Sequence, residues 1–489
     1  MPPKKTTPKA KATKKQASAT YGRYASTTVS GARRMLFTGP AADARKDLNS
    51  VNRLQMITKS RWAERNSPTY KQVIDEVLLV TLGDGLTAQS LAESHDAARA
   101  YEEYFANWSK RCDITGRFTF GQVQKLLLRG CLGDGDCFKV DTFDAVSGRP
   151  RVQVIEAHRV GSPRDEIDPT CVDGVYMGEH GEVKGFNVYV DGDIKNRFIP
   201  VSAMSQVVEL DRASGVRGYP VMQSSLNSVQ DQLEVFELEK RAVRDSADST
   251  LILKKNGGVL QDDAAAQFAG NSGSCQDLAS QMGGKVLVVD TNEDFSQLAN
   301  SRPSPAWLGM MKAIERDIVK LLPVEYVSDP SGITGPAVRL VAAKVSRCAA
   351  KWQNLIIDTV CDDTWDYVIS WGIKYDGLPE DPYFNRKSWV TPRDITVDAG
   401  REAAQDREDL KMGLTTASAI LGKKGMTHDE VVATRVKEMT NIVDSAKAAG
   451  LPLWMLYQAA NNWLQQGQAL DQMPTDVADN LDTPAPPAA

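Results

Sequence analysis

The feature that most constrains this chain is a helical pattern that stops, crosses a proline-rich segment and resumes as a longer helix. Apolar residues recur at three- and four-residue steps over residues 307–322, which predicts an amphipathic helix. Residues 323–336 contain three prolines and two glycines, and proline fixes φ and removes a backbone donor, so the helix cannot continue there. The helical period returns from Ala337 to Trp371. A loop held between two helices predicts a segment that projects into a cleft or lumen.

Upstream of this region the chain mixes helical and strand patterns. Residues 40–128 read as mostly helical, and the pattern changes to short strands between about residues 131 and 210. Strands are expected at residues 152–155, 186–190 and 207–210, with hairpin turns at the Asp-Gly sequences of residues 133–136 and 191–193. This mixture predicts an α+β fold.

A second long helix is predicted from Leu226 to Ala247. Its apolar row follows a near-heptad spacing through Val229, Leu233 and Phe236, while the opposite face is dense with charge. A narrow apolar row with a charged back is typical of a helix that packs against copies of itself or against a partner; packing on its own domain is the alternative.

The rest of the chain reads as a small insert and a helical end. Two strand-like pieces follow the second long helix, at residues 251–253 and 285–289, with a segment rich in Gly, Ser, Ala and Gln between them. Beyond Asp398 the chain is expected to be helical to about Leu464.

Charge is distributed unevenly along the chain. Residues 1–46 hold +10 and residues 465–489 hold −4, which leaves −11 for the body of a chain whose net charge is −5. A protein that reads nucleic acid normally presents a basic face, so an acidic body with a basic tail does not fit that class. Both tails have the composition of disordered segments. The basic tail either attracts nucleic acid or an acidic surface, or serves only solubility.

Cysteine usage and hydropathy indicate a soluble intracellular chain. The seven cysteines are scattered and form no CxxC or zinc spacing, which suits inert thiols in a reducing compartment. No signal-peptide pattern is present, and no apolar run approaches the roughly 18 residues that span a bilayer.

Catalytic motifs are missing from the sequence. Asp134 and Asp136 are the best candidates for metal ligands, but no third ligand stands at a supporting spacing. Residues 290–294 open like a calcium loop, yet Phe295 and Ser301 stand where the loop needs Gly and Glu. There is no P-loop, HExxH or GxSxG. We therefore expect no catalytic residue, no metal and no cofactor, and a protein that is not an enzyme.

Several blocks in order resemble the lambda-type family of tailed-bacteriophage portal proteins, from about Lys59 to Glu438. The blocks are residues 61–68 (Arg-Trp-Ala-Glu-Arg-Asn-Ser-Pro), residues 82–86 (Leu-Gly-Asp-Gly-Leu), residues 108–136 with Cys112-Asp113-Ile114-Thr115-Gly116, residues 153–159, Arg217-Gly218, and Val397-Asp398 with Leu414-Thr415-Thr416. Their order and spacing, rather than one motif, carry the resemblance.

Three positions depart from the family pattern. Asp136 stands where the family usually has Glu, and His158 stands where Asp is more common. The usual Tyr-Ser-Ser-x-Arg element of the loop reads Ile-Thr-Gly-Pro-Ala-Val-Arg at residues 333–339.

The resemblance implies a portal-type α+β subunit with an α/β wing, a two-helix stem, a small α/β clip, a tunnel loop with a long helix, and a helical crown. The expected parts are a disordered basic tail (1–39), wing (40–225), stem helix (226–249), clip (250–303), second stem helix (304–322), tunnel loop (323–336), long helix with the remainder of the wing (337–400), crown (401–464) and disordered acidic tail (465–489).

The function that the resemblance implies is a dodecameric ring at one capsid vertex, which is the channel for packaging and ejecting double-stranded DNA. Its implied partners are other copies of the chain, the DNA, the terminase large subunit, the major capsid protein and head–tail connector proteins, with no membrane. Its implied location is the virion, with host cytoplasm during assembly. DNA carries about one negative charge per 1.7 Å, and an acidic body suits a duplex that slides.

Candidate functional residues follow from these parts. The tunnel loop is expected to meet DNA through short polar side chains: Ser328, Asp329, Ser331 and Thr334. The subunit seam or channel wall is expected to use charged stem residues: Glu234, Glu237, Glu239, Arg241 and Arg244. Contact with terminase and connector proteins is assigned to the clip: Lys254, Lys255, Gln261 and Gln281.

Two other interpretations remain open from the residues. One is a nucleic-acid-processing enzyme, with Asp134 and Asp136 on a metal and the Lys-rich tail recruiting DNA. The other is a different capsid-assembly protein, such as a scaffold or adaptor. The size of the chain and its order of elements argue against an adaptor, since adaptors are generally small.

Overall fold

A computed structural model of the chain describes residues 43–448, except 164–167, 191–195, 248–250, 256–285, 291–304, 329–333, 393–398 and 423–427. All statements below refer to this described part.

Polar caps fix the starts of the N-terminal helices. The short α1 (Ala44–Asp47) is followed by α2 (Ser50–Asn66), α3 (Pro68–Leu82), α4 (His95–Ser109) and α5 (Phe120–Asp134). The Asn49 side chain accepts from the backbone N–H of Asn52 at the start of α2. At α5, Thr119 and Gln122 form a reciprocal capping box, which satisfies two backbone donors that the helix leaves open. The predicted helical character of this region is confirmed.

Two antiparallel sheets follow. The first has the order β3 (Pro150–Glu156), β2 (Asp136–Phe143), β8 (Met204–Val208), and Phe138 lies opposite both Ile155 and Gln206. The second contains β4 (Cys171–Val172), β5 (Val175–Met177), β6 (Val183–Tyr189) and β7 (Asn196–Pro200) in sequence order. The three strands expected from the sequence fall on β3, β6 and β8, so the α+β prediction is confirmed.

One of the two predicted hairpin turns is wrong. Residues 133–136 join α5 to β2, because Gly135 has φ +100 and ends the helix, and Asp136 already belongs to the strand. The other expected turn, residues 191–193, lies outside the described residues, although β6 and β7 pair antiparallel on either side of it.

Two helices and a strand pair follow. The helix α6 (Leu226–Ala247) leads to β9 (Leu251–Lys255), which pairs in parallel with β10 (Val286–Asp290) before α7 (Pro305–Ile318) begins. The Ser225 hydroxyl at the start of α6 donates to the Asp317 carbonyl at the end of α7 (2.7 Å), and Phe236 lies 6.4 Å from Trp307, ring centroid to ring centroid. These two contacts make α6 and α7 an antiparallel helix pair.

The proline-rich interruption contains one turn of helix that the sequence did not predict. The helix α7 ends at Ile318, four residues before the predicted end, and α8 (Val324–Val327) begins directly after Pro323. Proline breaks the interior of a helix but is compatible with its start, where its missing N–H is not needed.

The predicted long helix is present and slightly longer than expected. It consists of α9 (Gly335–Ile356), a π-helical turn (Ile357–Cys361) and α10 (Asp362–Tyr375). The Thr359 and Thr364 hydroxyls donate to the carbonyls of Leu355 and Val360, both at 2.6 Å.

The chain then returns to the N-terminal region. The strand β11 (Lys387–Val390) pairs antiparallel with β1 (Thr87–Ser90), and three further helices follow: α11 (Ala399–Lys411), α12 (Ala417–Gly422) and α13 (His428–Ala448).

Two apolar cores hold the described part together. The larger one joins α3, α4, α5, α9 and α10 around the fully buried Trp352 and Trp365. The smaller one lies between the two sheets and includes the edge-to-face pair Phe138 and Phe186, whose ring centroids are 5.3 Å apart.

The backbone at Gly135 passes very close to the backbone at Tyr219, and substitution of Gly135 tests this contact. A Cβ at Gly135 would overlap the backbone of Tyr219, whereas a Cβ at Gly148, which also has positive φ (+67), would meet open space. Both Gly→Ala changes introduce left-handed strain of about 1–2 kcal/mol, and Gly135→Ala adds a clash. We expect Gly135→Ala to lower the free energy of unfolding by about 3 kcal/mol or more, measured by urea denaturation. Equal losses in the two variants would show that the crossing is not tight.

Candidate functional site

A buried ion pair anchors the segment that leads into α6. Arg217 donates to both carboxylate oxygens of Asp136, from Nε at 2.5 Å and from Nη2 at 3.0 Å, and both side chains are almost completely buried. The remaining donors of Arg217 reach the carbonyls of Val160 (2.8 Å), Asp173 (2.7 Å) and Ala157 (3.0 Å). Burial opposes the charge of this guanidinium, but Asp136 outweighs burial and raises the pKa of Arg217.

A second arginine extends this pair into a network. Arg53 of α2 donates to Asp173 from Nε (2.6 Å) and Nη2 (3.1 Å) and also reaches the carbonyls of Ala157 and Val160. Asp173 itself has φ +48, the only positive φ among the described residues other than glycine. The two arginines therefore clamp one backbone segment, residues 157–160, and connect α2, β2 and the start of α6.

The two acids that the enzyme hypothesis needs are both held by arginines. Asp134 accepts from Arg61 at 2.9 Å and 2.5 Å, and the same guanidinium reaches Glu156 and His158. Asp136 is held by Arg217, as described above. The sequence left both carboxylates available for a metal, but each one neutralises a guanidinium instead. Within the described ranges no group of three or more His, Cys, Asp or Glu side chains is placed to hold a metal ion.

A cleft of about 290 Å³ lies beside this network. It is bordered by α1 and by the segment before α6, with Met56, Leu210 and Tyr219 in its wall. Two of its charged groups form an ion pair, since Arg212 binds Asp47 at 2.9 Å, and Tyr219 donates a hydrogen bond to Asp211.

The predicted apolar row of α6 is buried at its start and exposed farther along the helix. On this row Leu226 and Val229 are buried and Leu233 is half-buried, whereas Phe236 and Val243 are exposed. Glu239, which the sequence placed among the charged residues opposite that row, is buried rather than exposed to solvent. The other four predicted residues are exposed: Glu234, Glu237, Arg241 and Arg244. A hydrogen bond from Lys240 lowers the pKa of the Glu237 carboxyl.

Two hydrogen bonds hold the N-terminal part of the segment between α7 and α9, at Val327 and Ser328. Gln72 of α3 donates to the Val327 carbonyl at 2.8 Å, and the Ser328 hydroxyl donates to Glu315 of α7. Ser328 and Thr334 are exposed, while Asp329 and Ser331 lie outside the described residues.

Two of the four predicted clip residues fall outside the described part. Lys254 and Lys255 belong to β9, where their Cα atoms pair with Val289 and Asp290 of β10. Gln261 and Gln281 lie in the range that the structure does not describe.

Large apolar side chains are exposed on three helices, α6, α7 and α9. The exposed residues are Phe236, Leu238 and Val243 on α6, Leu308 and Met310 on α7, and Leu340 on α9. Clusters of this kind mark surfaces that a partner covers. The heptad spacing indicated partner packing for α6, but the exposure on α7 and α9 was not visible in the sequence, because both helices also have a regular apolar period.

The described part is thus a mixed helix–sheet fold with exposed apolar side chains on α6, α7 and α9. The family described as phage portal protein, lambda family, matches residues 31–322, which is more than half of the chain. The chain therefore belongs to that family, as the resemblance predicted, and its class is a structural protein of the virion. No curated protein matches the chain. Among the helices that the structure describes, none has the length and apolar character of a membrane span.

Solved structures with a similar fold come from gene transfer agent particles. The neck of a native GTA particle, computed with C12 symmetry, shares 12% identity over 78% of this chain and 94% of that chain, with a TM-score of 0.43. The neck of an empty GTA particle, computed with C6 symmetry, shares 13% identity over 78% and 93% of the two chains, with a TM-score of 0.42. The virion of a native gene transfer agent particle shares 12% identity over 70% and 93%, with a TM-score of 0.39.

The buried pair gives a direct stability prediction. Asp136→Asn leaves the Arg217 guanidinium buried without its counter-charge, and we expect a loss of about 3–5 kcal/mol in the free energy of unfolding. Asp84→Asn is the matched control, since Asp84 is fully exposed and lies 3.9 Å from Lys125, so its loss should stay below about 1 kcal/mol. Urea denaturation followed by tryptophan fluorescence measures both. Similar losses would mean that Asp136 does not stabilise the fold through Arg217.

Proposed function

We propose that copies of this chain form a dodecameric ring at one capsid vertex, the channel through which terminase packages double-stranded DNA and through which DNA is ejected. Membership of the portal family supports this proposal. The observation that carries it is the exposed apolar surface on α6, α7 and α9, three helices that a single copy leaves in contact with water.

Burial of these side chains between copies supplies the association energy. Each large apolar side chain that is fully buried contributes about 1.5–3 kcal/mol. Phe236 and Val243 lie on the heptad row of α6, and Leu308 and Met310 lie on α7, so the helix pair offers apolar contacts along much of its length. In this proposal the helix pair is the stem, and its exposed charges, Glu234, Glu237, Arg241 and Arg244, line the seam or the channel wall.

Passage of DNA is assigned to residues 328–334, the part of the tunnel loop (323–336) that lies between α8 and α9. Its predicted contact residues, Ser328, Asp329, Ser331 and Thr334, are short and include no cation. Binding of DNA by proteins depends mainly on cations that displace counterions from phosphates. A loop without cations therefore touches the duplex without holding it at fixed positions.

The remaining contacts are assigned by part of the subunit. The clip, with Lys254, Lys255, Gln261 and Gln281, is proposed to meet the terminase large subunit and later the head–tail connector proteins. The wing, residues 40–225 with the return through β11, is proposed to face the major capsid protein. Assembly takes place in host cytoplasm.

Ring formation is the first test. Negative-stain electron microscopy and native mass spectrometry of the full chain should show a closed particle with a central hole, at about twelve times the 53.5 kDa mass of one chain. Leu308→Asp should lower the ring fraction about tenfold or more, because it places a charge at an apolar contact. Val146→Asp is the control, since Val146 is 95% exposed on the turn after β2. A wild-type chain that stays monomeric at high concentration would contradict the proposal.

The second test adds positive charge to the tunnel loop and measures DNA packaging. Asp329→Lys with Ser331→Lys adds two cations per copy, and we expect particles complemented with this variant to contain several-fold less nuclease-protected DNA, with a smaller deficit at higher salt in packaging assays in vitro. Glu380→Lys with Ala145→Lys makes the same kinds of change at exposed sites elsewhere. Rings should form in both variants. Normal packaging by the loop variant would show that the loop does not touch DNA.

A further inference from the structure

One helix of the chain carries only positive charge. The 22 residues of α9 contain Arg339, Lys344, Arg347 and Lys351 and no Asp or Glu. Lys351 forms an ion pair with Glu209. Lys344 and Arg347 are exposed, and neither makes an ion pair or hydrogen bond within the described part of the chain. These two cations form a positive surface that nothing in the described part of the same chain neutralises.

The first half of α6 carries the opposite charge. Asp231 and Glu234 are exposed on this helix. The Glu234 carboxylate accepts from the Gln230 amide at 2.9 Å, and no cation among the described residues pairs with either acid. The negative surface of α6 is therefore as unmatched as the positive surface of α9.

The spacing of the two surfaces is complementary. Leu340, Lys344 and Arg347 follow at steps of four and three, so they form one stripe on α9. Asp231, Glu234 and Leu238 follow at steps of three and four, so they form one stripe on α6.

Antiparallel alignment brings the two stripes into register. Leu340 then faces Leu238, Lys344 faces Glu234, and Arg347 faces Asp231. With a rise of about 1.5 Å per residue, both stripes span roughly 10 Å, and on each helix the first charged residue lies roughly 6 Å and the second roughly 10 Å along the axis from the leucine. Leu340 and Leu238 are 60% and 63% exposed, so both leucines, like the charged residues of the two stripes, are accessible to a partner.

We propose that the stripe Leu340–Lys344–Arg347 of one copy packs antiparallel on the stripe Asp231–Glu234–Leu238 of the neighbouring copy. This inference rests on the proposed ring and names one of its contacts. Two different complementary surfaces on one chain make a heterologous contact, which repeats from copy to copy and closes if the rotation per copy divides the circle.

A nucleic-acid partner fits the stripe of α9 less well. Phosphates would match Lys344 and Arg347, but the duplex backbone offers no apolar group for Leu340, which stands on the same stripe. A duplex also leaves the acids of α6 without a partner. Contact between copies satisfies all six side chains, and the charge pairs fix the register and direction of the contact.

Charge reversal tests the pairing on the full-length chain. The variant Lys344→Glu/Arg347→Asp places acids against acids, and Asp231→Arg/Glu234→Lys places bases against bases. Each should lower the ring fraction about tenfold or more in native mass spectrometry at low salt. The variant with all four changes restores opposite charges with the signs exchanged, and we expect rings to return. Lys59→Glu/Arg65→Asp is the control for the first variant, because it reverses two exposed cations on α2 and changes the net charge by the same amount as Lys344→Glu/Arg347→Asp.

The outcomes separate this contact from the ring itself. A wild-type chain that forms no ring overturns the proposed function and this contact with it. Rings that persist in both double variants overturn the contact alone. Loss of rings in both double variants without recovery in the four-fold variant also overturns it, since the stripes would then meet other partners. Recovery supports the pairing even if one double variant is less stable, because a fold that is lost for other reasons would not be rescued by further charge changes.

Discussion

The ion pair between Arg217 and Asp136 is the interaction on which the arrangement of the described part depends. It lies in the interior, where an unpaired guanidinium would be strongly destabilising, and the geometry gives every donor of Arg217 an acceptor. Because the acceptors come from β2, from residues 157–160 and from the turn at Asp173, one side chain fixes where the chain leaves the sheets and enters α6. Arg53 reinforces the same backbone segment from α2.

This anchoring gives the helix pair a rigid base. The first residues of α6 and the last residues of α7 are buried against the main core, through Leu226, Val229 and Ile318. Farther from the core the two helices expose their apolar side chains. One end is thus stabilised within the chain, and the other end leaves its apolar side chains exposed. A contact surface that is rigid before association loses less conformational entropy on binding than a flexible one.

Features set by local chemistry were predictable from the sequence, and features set by distant contacts were not. The break after α7 and the long helix through α9 and α10 follow from proline and from apolar period, which act over a few residues. The turn predicted at residues 133–136 was wrong because Gly-Asp sequences end helices as well as turn hairpins. The apolar row of α6 was right for its first residues, Leu226, Val229 and Leu233, but the local spacing did not indicate that Glu239 is buried farther along the helix. The pairing of Asp136 with Arg217 joins residues 81 positions apart, so no local pattern indicates it, although both stood in blocks that resemble the portal family.

The π-helical turn at Ile357–Cys361 has a consequence for the whole helix around it. Buried positions follow one another at four-residue steps, through Trp352, Ile356, Val360, Thr364, Val368 and Gly372. In an ideal α-helix each such step overshoots a full revolution by roughly 40°, so five steps would carry the last position to the far side of the rod. The wider turn takes back part of that drift. The π-helical turn therefore keeps the buried faces of α9 and α10 on the same side of the helix. Deleting one residue there would turn the buried face of α10 away from that of α9.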